Sequence, residues 1–295
     1  MFDWAASRFD PVTCDGRQYI IKRDDLLLPI GGNKARKLLN LSQQDLSTIP
    51  EIVSHGGAQS NAMLALSQFC KLKAVPFTYY TRPVPKWLKL KPIGNLEIAL
   101  TMGMNWQVTE TGLPSREHSP NTLFIPQGIS MPEAADGISC LAQEISDYCQ
   151  QNQLENAVVV LPSGTGATAL YLQQFLNQTV YTVPCIGNEN TLMNFFKVQQ
   201  PNSERYPSII YAHQGRPNYR FGQPHRELLN IYQQLLDETG IEFELLYDPK
   251  TWLRMLDWEC DKPIIYIHNG GTSGNASMLA RYRRRGMFEG NLNNT

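Results

Sequence analysis

The stretch that most restricts this chain runs Ala157-Val158-Val159-Val160-Leu161 and passes at once into Pro162-Ser163-Gly164-Thr165-Gly166-Ala167-Thr168. Five apolar residues without alternation describe a strand covered on both faces, as in a parallel sheet between layers of helix. The glycines and hydroxyl residues after it, followed by Ala169-Leu170-Tyr171-Leu172, describe a tight turn into a helix. Backbone N–H groups at such a helix start, with the helix dipole behind them, suit an anion, and Ser163, Thr165 and Thr168 can add hydroxyls. A plain strand-to-helix turn with N-capping hydroxyls is the alternative. No Gly-Lys-Ser/Thr follows, so this is not a Walker loop.

Further short β-rich runs stand at residues 19–22, 51–53, 77–80, 179–186, 208–212 and 264–267. Helical stretches start near residue 34 and cover 60–71, and more lie between the later runs. That alternation predicts an α/β chain with two domains of parallel sheet flanked by helices. A chain of 295 residues can form two domains or one large unit and needs no staple. The six cysteines, Cys14, Cys70, Cys140, Cys149, Cys185 and Cys260, form no CxxC pair and have no histidine at ligand spacing, so no metal or disulfide framework is expected. A net charge of −1 argues against nucleic acid as a partner, and no apolar run has the length of a membrane span. Met1-Phe2-Asp3-Trp4 lacks a signal-peptide layout, so the cytoplasm is the expected compartment. Residues 81–92, rich in proline and lysine, and residues 111–120 are predicted to be exposed irregular loops, and 290–295 a frayed tail.

Glycine turns close four of the predicted strands, at Gly56-Gly57, Gly164-Thr165-Gly166, Gly187 and Gly270-Gly271. Ligands of open parallel sheets bind beyond the carboxyl ends of strands, where these turns fall. Two other elements carry chemistry. Lys22-Arg23-Asp24-Asp25 precedes Gly31-Gly32-Asn33-Lys34-Ala35-Arg36-Lys37-Leu38. A lysine at a helix start opposes the helix dipole, and that field together with burial lowers its pKa and sharpens its amine toward an aldehyde. A solvated basic run heading a surface helix is the competing explanation. Ser54-His55-Gly56-Gly57-Ala58-Gln59-Ser60-Asn61 closes a strand and opens a helix, with Ser60 placed as N-cap and His55 more suited to packing than to catalysis. Asn61, if buried, needs partners for its amide. Gly164, Gly166 and Ala169 also fit the looser dinucleotide pattern, with Glu189 near the place of a ribose-binding acid, so a NAD-dependent dehydrogenase stays a rival.

Taken together, Lys22-Arg-Asp-Asp25, Gly31-Gly-Asn-Lys-Ala-Arg-Lys-Leu38 and Gly56-Gly-Ala-Gln-Ser-Asn61 resemble the pyridoxal-phosphate (PLP)-dependent 1-aminocyclopropane-1-carboxylate (ACC) deaminase / D-cysteine desulfhydrase family. Gly94-Asn95-Leu96, Ile125-Pro-Gln-Gly128, Ser163-Gly-Thr-Gly166 and Ile267-His-Asn-Gly-Gly271 follow in the family's order, so the likeness runs from about residue 22 to 282. It implies a tryptophan-synthase-β-like fold (fold type II), with PLP between a large domain of residues 1–47 and 128–295 and a small mobile domain of residues 48–127. Lys34 would be the Schiff-base lysine. Ser163, Gly164, Thr165, Gly166, Ala167 and Thr168 would hold the phosphate, with Lys37 assisting. Asn61 would meet the ring hydroxyl, and Gln59 and Ser60 would face the substrate. Tyr247-Asp248-Pro249-Lys250 resembles the family's Tyr-x-x-Lys segment, making Tyr247 an active-site acid, base or nucleophile. Asp248 would stand where the deaminases place a glutamate against the pyridine nitrogen, keeping it protonated.

The implied activity is deamination or desulfhydration of a small amino acid, with release of ammonia and a keto acid, by a homodimer. Four departures leave the substrate open. Ala62 stands where the family has His or Gln, Asp248 is one methylene short, Tyr171 replaces a glycine and Asn269 a threonine. Another β-elimination, a racemisation, or a PLP-binding protein with little turnover are the alternatives.

Overall fold

The computed structural model describes residues 2–114, 118–215, 217 and 219–288; the tail at 290–295 lies outside the described residues. Two sheets organise the chain. The larger has six strands in the order β1 (Phe9–Cys14), β2 (Arg17–Lys22), β10 (Ile264–Ile267), β7 (Val158–Ser163), β8 (Val180–Pro184) and β9 (Ser208–Ile209). Every neighbouring pair is parallel except β1 with β2. The smaller sheet has four parallel strands in the order β5 (Asn105–Val108), β4 (Phe77–Thr81), β3 (Ile52–His55) and β6 (Leu123–Ile125).

The helices are α1 (Asn33–Lys37), α2 (Leu39–Gln43), α3 (Asn61–Lys73), α4 (Lys86–Leu90), α5 (Asn95–Thr101), α6 (Ala134–Gln151), α7 (Ala167–Phe175), α8 (Glu189–Gln199), α9 (Arg226–Thr239), α10 (Asp248–Leu256) and α11 (Asn275–Arg284). None of the described helices is long and apolar enough to cross a membrane.

Packing explains the unbroken apolar run at 157–161. Val159 and Leu161 face one core with Ile138, Leu141 and Ile145 of α6, whereas Val158 and Val160 face another with Phe243, Trp252 and Tyr266. Each strand face is fully covered, and each such aliphatic side chain contributes about 1.5–3 kcal/mol. A third core sits over the small sheet, where Ile52, Tyr79 and Ile125 meet Met63, Leu66 and Phe69 of α3.

The structure departs from the sequence reading in several places. The predicted irregular loop at 81–92 contains α4, whose Leu88 is buried and whose Trp87 ring lies 4.0 Å beneath the Arg284 guanidinium. The predicted strand at 208–212 pairs over only two residues. β1 was not anticipated. It is an edge strand, as its Pro11 requires, and it returns through Asp15 (φ 50°) and Gly16 (φ 69°), a two-residue turn of the type that Asp-Gly favours.

Candidate active site

A cleft of about 90 Å³, partly open to solvent, lies at the carboxyl ends of β7 and β10 and reaches the start of α3. Most of the residues singled out in the sequence line it: Lys34, Lys37, Ser60, Asn61, the whole run Ser163 to Thr168, Tyr247 and Asp248. Gln59 does not. Its amide donates to the Ile93 carbonyl at 2.8 Å and accepts from the Asn95 N–H at 3.1 Å, so it braces the α5 entry instead.

Lys34 is placed by a close backbone approach. Gly32 has φ 72°, and a β-carbon there would lie 1.8 Å from the Asn269 carbonyl oxygen, so only glycine brings the two turns together. The Asn33 N–H donates to that same carbonyl at 3.2 Å. The Asn33 side chain then spans the floor of the cleft: its oxygen accepts from Lys34 Nζ at 2.6 Å and its nitrogen donates to Thr168 Oγ1 at 3.1 Å. Burial pushes the Lys34 amine down to about 8, and nearby Glu244 partly opposes this. Lys37 is also buried and donates to the Gly128 carbonyl at 3.0 Å; burial, helped by Lys34, holds its pKa well below the usual lysine range.

The basic run at 34–37 is thus not a solvated helix head. Arg36 is fully buried and pairs with Asp24, also fully buried, at 2.8 Å and with Glu144 at 2.6 Å, while Lys22 meets Glu144 from the neighbouring strand at 2.6 Å. This network ties α1 to β2 of the large sheet and to α6.

Across the cleft, the backbone N–H groups of Gly164, Thr165, Gly166, Ala167 and Thr168 donate to no carbonyl or side chain among the described residues. Five free donors at a helix start form a ready anion cradle. Gly166 makes the turn with φ 83°, where a β-carbon would meet Leu192 at 2.5 Å. The hydroxyls differ in their availability. Thr168 and Thr165 accept bonds from Asn33 and Ser130 and keep their own protons. Thr182 gives its proton to the Leu161 carbonyl, so the 2.6 Å contact with Ser163 is a donation from Ser163. The Ser163 hydroxyl is therefore committed to the sheet, and this residue offers the cleft its backbone.

Ser60 caps α3, accepting from the Ala62 and Met63 N–H groups at 3.2 and 3.4 Å. Asn61 accepts from Asn95 Nδ2 at 2.8 Å, so its own amide nitrogen is the end left to donate into the cleft. His55 does not line the cleft, and burial lowers its pKa. Glu189 pairs with Arg254 at 2.9 Å and is likewise absent from the lining, so the dinucleotide reading loses its acid. His268 accepts from the Gly270 N–H at 3.1 Å and faces the Glu242 carbonyl at 2.9 Å, a pattern that requires the neutral ring protonated at Nε2.

Tyr247 is half-buried beside Gly164, and burial with nearby Glu244 raises its pKa, so the phenol keeps its proton at neutral pH. Asp248 is buried; Tyr266 donates to one of its oxygens at 2.6 Å and the Glu244 N–H to the other at 2.8 Å. Three contributors were not found from the sequence: Asn33, Asn95 and Glu244. The first two sat inside motifs already quoted. Glu244 had one visible signal, a carboxylate within the apolar run Phe243-Glu244-Leu245-Leu246.

The chain is 26% identical over 290 residues to a D-cysteine desulfhydrase of Serratia proteamaculans, covering 87% of each chain. It is 26% identical over 299 residues to a D-cysteine desulfhydrase of Yersinia enterocolitica, again covering 87% of each. A crystal structure of an ACC deaminase homologue superposes with a TM-score of 0.75 at 20% identity, over 95% of this chain and 94% of that one. The chain is thus similar to proteins of the ACC deaminase / D-cysteine desulfhydrase kind. No family model matches it. Its fold is the tryptophan-synthase-β-like fold type II.

Proposed function

We propose that the chain is a PLP-dependent lyase or deaminase acting on a small amino acid of the ACC or D-cysteine kind, releasing ammonia and a 2-keto acid. One observation carries this reading: a half-buried amine inside the cleft is joined through Asn33 to a turn presenting five free N–H groups. An aldehyde bearing a phosphate, on an aromatic ring with a hydroxyl, matches that arrangement. The residues present fit the cofactor: Lys34 for the aldehyde, the Gly164 to Thr168 backbone with Thr165, Thr168 and Lys37 for the phosphate, and the Asn61 amide for the ring hydroxyl. When bound, PLP supplies an electron sink that stabilises charge left by breaking a bond at the substrate's α-carbon.

The chain's own groups do the rest. Ser60, at the N-terminus of α3, binds a substrate carboxylate through its hydroxyl and the helix dipole. Tyr247, kept protonated by its surroundings, holds and returns a proton beside Gly164. Lys34, whose amine would hold the cofactor, would take and return the proton at that α-carbon. Residues 48–127 form the smaller domain, which moves against the remainder to close the cleft, in a homodimer working in the cytoplasm.

The test is a panel of D- and L-cysteine, D- and L-serine and ACC, with keto acid and ammonia measured from the PLP-loaded protein. Keto acid from at least one of them is expected. Bound cofactor with no product from any member overturns the lyase reading.

A further inference from the structure

Glu244 and Asp248 stand one helical turn apart where the chain enters α10; both are buried, and both line the cleft. They are not equivalent. The two oxygens of Asp248 are taken up by Tyr266 and by the Glu244 N–H. Glu244 uses Oε2 to accept from the Leu246 and Tyr247 N–H groups at 3.0 and 2.8 Å. Its Oε1 has no partner among the described residues. A buried carboxyl oxygen with no donor is costly, and a ligand that brings the donor removes that cost.

Position singles out the same atom. Oε1 of Glu244, Nδ2 of Asn95 and Oδ1 of Asn61 lie 3.6, 3.6 and 3.7 Å from one point, the place a β-carbon on Gly274 would occupy. In the pyridoxal ring the nitrogen and the hydroxyl-bearing carbon are meta to each other, so their protein partners have to stand side by side. Asn61 and Glu244 both reach that point and both line the cleft.

We propose that Glu244, rather than Asp248, is the carboxylate that meets the ring nitrogen of the cofactor, with Asp248 as a positioning residue that fixes the turn carrying Glu244 and Tyr247. This inference rests on the PLP reading above. The proton on the ring nitrogen is shared with Glu244 Oε1, and the resulting ion pair replaces an acid that is otherwise buried without a partner.

The experiment is ¹⁵N NMR of the protein reconstituted with PLP labelled at the ring nitrogen, near neutral pH, with borohydride fixation read on the same samples. Wild type should show the pyridinium shift, Glu244→Gln the neutral-pyridine shift, and Asp248→Asn the wild-type shift with a lower melting temperature. Glutamine keeps an oxygen for the Leu246 and Tyr247 N–H groups, and Glu244→Asp, which retains a carboxyl but withdraws it, should give an intermediate shift if the glutamine variant does not fold. A pyridinium shift in Glu244→Gln, or its loss in Asp248→Asn alone, overturns the proposal while fixation to Lys34 leaves the PLP reading standing. Absence of fixation in the wild type overturns both.

Discussion

Lys34 and Thr168, 134 positions apart in sequence, are joined through one carboxamide: Asn33 accepts from Lys34 Nζ at 2.6 Å and donates to Thr168 Oγ1 at 3.1 Å. The amine and the anion cradle are thereby held at a fixed separation before any ligand arrives. Such preorganisation matters for a cofactor held at both ends. Asn33→Ala removes both bonds and should weaken PLP binding at least about tenfold, or 1.4 kcal/mol. Titration of the apoprotein by fluorescence measures this, and unchanged affinity would show that the bridge is incidental.

The pKa of Lys34, near 8, fixes the pH dependence of cofactor capture. Only the free amine attacks an aldehyde. Below about pH 8 the capture rate should fall about tenfold per pH unit, and above it the rate should level off. Stopped-flow absorbance of apoprotein mixed with PLP reads the profile. A rate still climbing above about pH 9 would place Lys34 in solvent-like surroundings. The same shift bears on stability: the unfolded chain binds this proton more tightly, so lowering the pH from 10.5 toward about 8 weakens the folded apoprotein.

Gly32 leaves no room for a side chain against Asn269. Gly32→Ala combines a backbone conformation that alanine avoids with a clash against a carbonyl, at a cost of about 3 kcal/mol or more. Urea denaturation of the apoprotein should show that loss, together with weaker PLP binding. Wild-type stability in this variant would mean that the two turns do not pack as described.

Arg36 and Asp24 form a fully buried pair. Arg36→Ala leaves Asp24 with the Ser7 hydroxyl alone, and stability should drop by about 3–5 kcal/mol. A loss below about 1 kcal/mol in urea melts would mean that water reaches the network.

What could be read from the sequence follows from where information is local. The turn at 163–168 was legible because its strand, its glycines and its helix are consecutive, and Lys34 because its neighbours carry a family pattern. β5 and β6 were not, since a four-residue and a three-residue strand with partly exposed side chains have too little apolar periodicity to register. Pro11 obscured β1, although Asp15-Gly16 was in view as a hairpin turn. Glu244 was missed because its significance lies in the contacts of its neighbour: only the bonds from Tyr266 and the Glu244 N–H reveal that Asp248 is already engaged. The commitment of Ser163 to Thr182 is of the same kind, a non-local contact that no spacing announces.

The central claim is that Lys34 carries the cofactor, and borohydride reduction of the PLP-loaded protein followed by peptide mass mapping tests it most directly. The phosphopyridoxyl group should be found on the peptide containing Lys34 and be absent from Lys34→Ala. Its recovery on Lys37 or another lysine, or no fixation at all, would contradict the account.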